Sequence, residues 1–284
     1  LEVRSSVCRL SPCWLFRASE SSLLSAPELA AGGAMGDDGA TSDVAFAAFH
    51  SSATRLVSDD AAEDTVSHLA AVGASLATME DSVIERSLDF ILFPVVGVMR
   101  RASEPETNDA DANPKARARR IKTLEESLRC VSAVLRRLEP GMGEPAFIGD
   151  LFCDVVAVLA RSGSDPSLDD PSSGTRSSSS SADLEDLRLA AVTCASDVVR
   201  LIRPRTTHAR ALLADKNLPA VGYATSLLVR VAHLEASAGT KGSKAIRCAA
   251  LATLRDLVRN TDDPDAWSFF LPGVVSGLAK ALHA

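Results

Sequence analysis

The stretch from Asn217 to Asn260 reads NLPAVGYATSLLVRVAHLEASAGTKGSKAIRCAALATLRDLVRN. A short joint rich in glycine and serine (237–243) divides it into two patterns with helical spacing. Each pattern places its apolar side chains on one face: Val221, Ala224, Leu228 and Val231 in the first, and Ile246, Ala250, Thr253, Leu254 and Leu257 in the second. Because neither helix can bury that face alone, the two must pack together and then against a similar pair. The stretch therefore predicts one helical hairpin within a stack of hairpins.

The composition supports a helical protein without a membrane span or a zinc site. Of the 284 residues, 46% are hydrophobic and only 4% are aromatic, a balance that favours helices over strands. The net charge of −7 disfavours nucleic acid as the main partner. The longest apolar run, 90–99, is too short to cross a bilayer, and the six cysteines form no CxxC pair or Cys/His cluster. We expect a soluble protein from a reducing compartment.

The order of segments along the chain predicts two helical blocks separated by a loop. Residues 1–41 are expected to be a disordered leader, because residues 1–34 have no sustained periodicity; the first methionine, Met35, is a plausible true start. Residues 42–161 form the first predicted block, 162–182 a flexible loop rich in serine, and 183–284 the second block. The periodicity is still helical at the last residues, so we expect the solenoid to continue in a longer protein.

Two segments of the second block repeat each other. Residues 187–191 (LRLAA) resemble 246–250 (IRCAA), and each segment leads into a similar ending, DVVR at 197–200 and DLVR at 256–259. The separation is 59 residues, which exceeds a two-helix repeat of about 40–47 residues. We expect a long connector between Arg203 and Leu218 to account for the difference. The Arg-x-Ala-Ala pattern resembles HEAT repeats.

Three further motifs make the resemblance more specific. They are LDFILFP at 88–94, GYATSLL at 222–228 and FFLPGV at 269–274. In this order they resemble the N-terminal region of the first Tel-two-interacting protein family, a HEAT-repeat subunit of the Triple-T cochaperone complex. The resemblance covers roughly residues 45–282; the first 40 residues have no counterpart, and the loop at 162–182 is longer than in the family.

The resemblance implies an all-α fold, an α-solenoid of HEAT-like helical hairpins forming an armadillo-type superhelix. It implies a non-enzymatic scaffold that assists the maturation and stability of phosphatidylinositol-3-kinase-related kinases of the TOR and ATM class. The implied partners are the Tel-two protein, the second Tel-two-interacting protein, these kinases and the heat-shock chaperone machinery. The implied location is the cytoplasm, with the nucleus as a second compartment. The alternative is another HEAT-repeat adaptor, such as a transport or phosphatase-regulatory scaffold.

No catalytic or cofactor motif stands out in the sequence. The five histidines are scattered singly, and neither GxGxxG nor GxxxxGK[ST] occurs. We therefore predict no enzyme activity, no cofactor, no metal and no membrane or nucleic-acid partner. A hydrolase whose residues meet only in the folded chain stays an open alternative.

Two groups of residues are candidates for partner binding. Proline within an apolar helical pattern predicts a kink or break, which either serves core packing or exposes an aromatic side chain to a partner. These candidates are Phe90, Phe93 and Pro94, and Phe269, Phe270, Leu271 and Pro272. The second group is a basic helical face that either docks an acidic partner or is simply solvated: Lys115, Arg119, Lys122 and Arg129.

Overall fold

Twelve helices and no strand make up the described part of the chain in a computed structural model, which covers residues 37–58, 64–104, 114–162, 178–237 and 243–283. The helices are α1 Asp37–Val57, α2 Thr65–Thr78, α3 Asp81–Arg86, α4 Leu88–Ser103, α5 Pro114–Leu135, α6 Pro145–Ser162, α7 Ser178–Leu201, α8 Thr207–Leu212, α9 Leu218–Ser237, α10 Lys244–Thr261, α11 Pro264–Ser268 and α12 Leu271–His283. The predicted leader up to residue 36 and the predicted loop from 163 to 177 lie outside the described residues.

The longer helices pack in two rows. In one row α2 contacts α5, α5 contacts α7, and α7 contacts α10. In the other row α4 contacts α6, α6 contacts α9, and α9 contacts α12. Sequence neighbours α4 and α5, α6 and α7, and α9 and α10 pair across the rows as hairpins. The fold is an all-α solenoid of stacked hairpins, as the apolar periodicity predicts.

The hairpin of α9 and α10 confirms the prediction made from residues 217–260. Leu254 and Leu257 on α10 are buried, as is Val221 on α9. The Ser243 hydroxyl begins α10 by accepting a hydrogen bond from the Ile246 amide. The helix ends at Thr261, and the left-handed backbone of the next residue, Asp262 (φ 43°), turns the chain away.

The repeat of 59 residues corresponds to direct neighbours in one row. Its two copies lie on α7 and α10, which pack against each other. The expected connector contains the additional short helix α8, which packs on α6. Buried Asn217 secures the end of this connector, donating from Nδ2 to the Ala211 carbonyl at 2.9 Å.

The two proline motifs behave differently from each other. The sequence predicts a kink or break at Pro94. Helix α4 continues through this residue, so the break is wrong and the kink stays a prediction; the chain instead breaks at Ser87, between α3 and α4. A proline inside a helix costs about 3 kcal/mol. Burial of Ile91, Leu92 and Val95 beside it contributes roughly 1.5–3 kcal/mol apiece, which is enough to keep the helix intact.

The second motif does break the helix. Helix α11 ends at Ser268, and Pro272 is the second residue of α12, where the missing amide donor costs nothing.

The helix boundaries also extend beyond those predicted at two places. Helix α1 begins at Asp37, before residue 42, and α7 begins at Ser178, within the segment predicted as a loop. Serine is only moderately unfavourable in helices, so an existing helix can extend through it.

A membrane-spanning helix or a cluster of metal-binding side chains would be visible among the described residues. No helix among them is both long and apolar enough to cross a bilayer. Within the same ranges, no three metal-binding side chains come together.

Candidate functional site

Three aromatic side chains at the turn between α11 and α12 differ in how far they are buried. Trp267 is buried, and its indole Nε1 donates to the Thr261 hydroxyl at 2.7 Å. The half-buried Phe270 ring meets Trp267 edge-on at 5.8 Å between ring centroids. Phe269, the residue before Phe270, is 79% exposed. Neighbouring phenylalanines thus have opposite roles, one in packing and one at the surface.

Glycine allows α12 and the turn before it to approach α9 closely. A Cβ atom on Gly222 would lie 2.4 Å from Cε1 of Phe270, closer than atoms in contact can come. A Cβ atom on Gly277 would lie 2.2 Å from Cγ1 of Val229. The contact between α9 and α12 therefore depends on the missing side chains at Gly222 and Gly277.

A groove of roughly 400 Å³ lies between α9 and α12, and residues of both helices and of the turn before α12 line it. The residues that line it are Gly222, Thr225, Ser226, Val229, Arg230, His233, Phe269, Phe270, Gly273, Val274, Gly277 and Lys280. Among the part of the chain that the structure describes, this lining includes two long cations and a histidine but no carboxylate. The groove is thus cationic and partly apolar, within a chain whose net charge is −7.

Two of the three motifs behind the family resemblance meet at this groove. Gly222 of GYATSLL contacts Phe270 of FFLPGV, although the two residues lie far apart in the sequence. Leu271 and Pro272, which were also predicted as site residues, are exposed at the start of α12.

The third motif lies on α4, a helix of the same row that does not pack against α12. Phe90 is partly exposed and joins α4 to α1 through ring contacts with Phe46 and Phe49 at about 6 Å. Phe93 is 63% exposed, and Pro94 is buried. The two phenylalanine motifs therefore form separate surfaces.

The predicted basic face lies along α5, and acidic residues on the same helix pair with part of it. Lys122 Nζ donates to Glu125 Oε2 at 2.9 Å and lies 3.4 Å from Glu126. Arg129 pairs with the same two carboxylates. The hydrogen bond to Glu125 raises the pKa of Lys122 above its usual value. Lys115 and Arg119 are exposed near the start of the helix. These pairs favour a solvated face over a docking site.

The buried thiols are poorly suited to nucleophilic chemistry. Cys130 and Cys194 are buried, and desolvation raises the pKa of each to about 12. Both therefore stay protonated near pH 7, whereas a reactive cysteine needs the thiolate.

The two cations of the groove, Arg230 and Lys280, were not among the site residues predicted from the sequence. Arg230 lies eight residues after Gly222, and Lys280 seven after Gly273, so each shares a helical face with a glycine. This spacing is the signal that could have identified them. It becomes informative only once α9 and α12 are known to face each other.

A comparison with protein families matches residues 46–284 to the family described as the TTI1 N-terminal TPR domain. Neither the comparison with curated proteins nor the one with solved structures yields a match. The description names tetratricopeptide repeats, whereas the sequence pattern resembled HEAT repeats; both are stacked pairs of helices. TTI1 is the first Tel-two-interacting protein, so the family resemblance is confirmed. Because the match spans the stack from Phe46 in α1 to the end of α12, the chain belongs to the family of the TTI1 N-terminal TPR domain.

Proposed function

We propose that this chain is a non-enzymatic scaffold of the Triple-T complex, with the Tel-two protein and the second Tel-two-interacting protein as partners. In this role it assists the chaperone-dependent maturation and stability of phosphatidylinositol-3-kinase-related kinases in the cytoplasm and the nucleus. The observation that carries the proposal is the family match over residues 46–284. That match favours this function over a transport or phosphatase-regulatory adaptor.

The architecture is compatible with a binding role. A stack of hairpins exposes an extended surface, and each hairpin can carry its own contacts. The described surface includes large exposed apolar side chains at Phe93 and Phe269, which are 63% and 79% exposed. Such side chains stabilise a complex when a partner removes them from water. The mechanism we propose is therefore non-covalent: the surface holds a client or adaptor in an arrangement that is competent for assembly.

Affinity purification tests this proposal. The tagged full-length protein is isolated from its own cells under mild salt, with an unrelated tagged helical-repeat protein as the control. We expect the Tel-two protein, the second interacting protein and at least one kinase of the TOR or ATM class to be enriched over the control. Recovery of none of them would contradict the proposal, and recovery of transport or phosphatase subunits would favour the alternative adaptor.

A further inference from the structure

The groove between α9 and α12 combines two properties that point to one kind of ligand. Arg230 and Lys280 are exposed cations in its lining, and none of the described residues that line it is a carboxylate that would neutralise them. Phe269 provides an apolar wall beside them and is 79% exposed. Cations attract acidic groups, and an exposed aromatic ring stabilises a complex when an apolar side chain covers it.

One glycine in the lining of the groove leaves open space. Gly273 is exposed, and a Cβ atom on it would meet nothing within 4 Å. A side chain of moderate size could occupy that space. The Ser226 hydroxyl donates to the Gly222 carbonyl at 3.1 Å, so its oxygen can still accept a hydrogen bond from a ligand amide.

We infer that this groove binds an acidic peptide segment that also carries a large apolar side chain. The carboxylates pair with Arg230 and Lys280, and the apolar side chain covers Phe269 above Gly273. This inference rests on the proposed function, because it names the chemistry of one partner of the scaffold.

Charge favours a peptide over a nucleic acid as the occupant. A net charge of −7 repels a polyanion at long range, whereas a short acidic segment carries few charges and can approach a local cationic site. The cations on α5 are a weaker site, because Glu125 and Glu126 already pair with Lys122 and Arg129.

Fluorescence anisotropy with the 284-residue chain tests the inference. The probe is a fluorescein-labelled peptide in which glutamates flank a central leucine–phenylalanine pair. We expect saturable binding that weakens as salt is raised, because salt screens the ion pairs. We expect weaker binding when glutamines replace the glutamates, and also when serines replace the apolar pair. Equal binding of all three peptides would overturn the inference, as would displacement of the probe by a single-stranded oligonucleotide at the same concentration.

Matched variants locate the binding site on the chain. The double variant R230E/K280E should reduce the affinity by about tenfold or more. The control variant K244E/R259E makes the same charge change on exposed cations of α10, and its affinity should stay within about twofold. An equal loss in both variants would show a non-specific charge effect and overturn the inference.

Two single variants keep the test valid if the charge reversals disturb folding. Gly273→Leu fills the open space, and Phe269→Ser removes a side chain that contributes little to the core; each should weaken binding with the helical circular dichroism unchanged. Full binding by both would overturn the inference.

Wild-type protein that binds the probe but recovers no Tel-two protein from cells would support the groove and contradict the Triple-T assignment. Recovery of Tel-two without any probe binding would do the reverse.

Discussion

At the scale of single residues, two glycines of the same groove differ in what a methyl group would meet. Gly222 lies under the Phe270 ring, with 2.4 Å between the position of a Cβ atom and Cε1 of the ring. Gly273 faces open space. Both are in helices, where alanine is preferred over glycine by about 1 kcal/mol. Packing therefore opposes this preference at Gly222 and leaves it unopposed at Gly273.

We predict that Gly222→Ala destabilises the chain by about 1–3 kcal/mol, because Phe270 must move away from Trp267 to make room. Gly273→Ala is the matched control and should be neutral or stabilising by up to about 1 kcal/mol. Urea unfolding followed by circular dichroism measures both values. A stabilising Gly222→Ala would contradict the close approach of the turn to α9.

The cysteines provide a second test at this scale. In the described residues Cys130 and Cys194 are buried, whereas Cys248 is exposed. We predict that iodoacetamide at pH 8 modifies Cys248 in the native protein, and that Cys130 and Cys194 react only after denaturant is added. Peptide mass spectrometry measures each site. Modification of native Cys194 as rapid as that of Cys248 would contradict the burial.

Because of the same two thiols, the folded chain should become less stable at alkaline pH. Their pKa in the folded chain is about 12, against an ordinary value of 9.0. Below pH 9 both thiols are protonated in the folded and the unfolded chain, so the stability that depends on these protonated thiols is fully present. This contribution is lost as the pH rises from 9 towards 12, because the unfolded thiols ionise first. The free energy of unfolding should fall over that range, and fall less in the double variant C130A/C194A.

At the scale of helices, successive members of one row are connected at their C-terminal ends. Arg137 follows α5 and donates to the Leu76 and Met79 carbonyls at the end of α2. Arg200 on α7 donates in the same way to the Leu135 and Leu138 carbonyls after α5. On α10 the equivalent donor is Asn260, which reaches the α7 carbonyl of Val199 at 2.9 Å. Each donor thus adds a side-chain hydrogen bond at the C-terminal end of the preceding helix, where the Leu76, Leu135 and Val199 carbonyls also accept a backbone amide from three residues on.

We predict that Arg200→Ala costs about 1.5–3 kcal/mol, because it removes the hydrogen bonds that a charged guanidinium donates to the Leu135 and Leu138 carbonyls. Arg210→Ala on α8 is the control, since that side chain is exposed; it should cost less than about 0.5 kcal/mol. Urea unfolding measures both variants. Equal costs would mean that the contact between α7 and the end of α5 contributes nothing.

At the scale of the whole molecule, the rows divide the described core among neighbouring hairpins. Leu254 on α10 is buried in the hairpin formed with α9, whereas α2 and α4 pack mainly on α5. Stability in such a stack is approximately a sum over hairpins and the interfaces between neighbours. Damage at one end should therefore spread to neighbouring hairpins before it reaches distant ones.

We predict that Leu254→Asp unfolds the C-terminal half, because burying a carboxylate there costs more than about 4 kcal/mol. Hydrogen exchange should show loss of protection in α9, α10 and α12 while α2 and α4 stay protected. The control Lys122→Ala should change the melting temperature little, because the buried Glu125 keeps its pair with Arg129 and an ion pair with an exposed lysine contributes about 0–1 kcal/mol. Equal melting temperatures for the two variants would contradict the assignment of buried and exposed faces.

Much of this architecture follows from the sequence because helices are local structures. The spacing of Val221, Leu228, Leu254 and Leu257 predicts which faces are buried, since the helical period of 3.6 residues repeats within each segment. The joint at 237–243 predicts the hairpin, and the motifs at 88–94, 222–228 and 269–274 predict the family.

Only the tertiary structure decides which of these faces meet. The break at Ser87 instead of Pro94 depends on burial around α4, and the contact of Gly222 with Phe270 joins residues that are distant in the chain. The groove that gathers Arg230 and Lys280 exists because α12 packs on α9. A helical period places a side chain on one face of its own helix. It carries no information about the facing helix, because that choice is made by packing between distant segments.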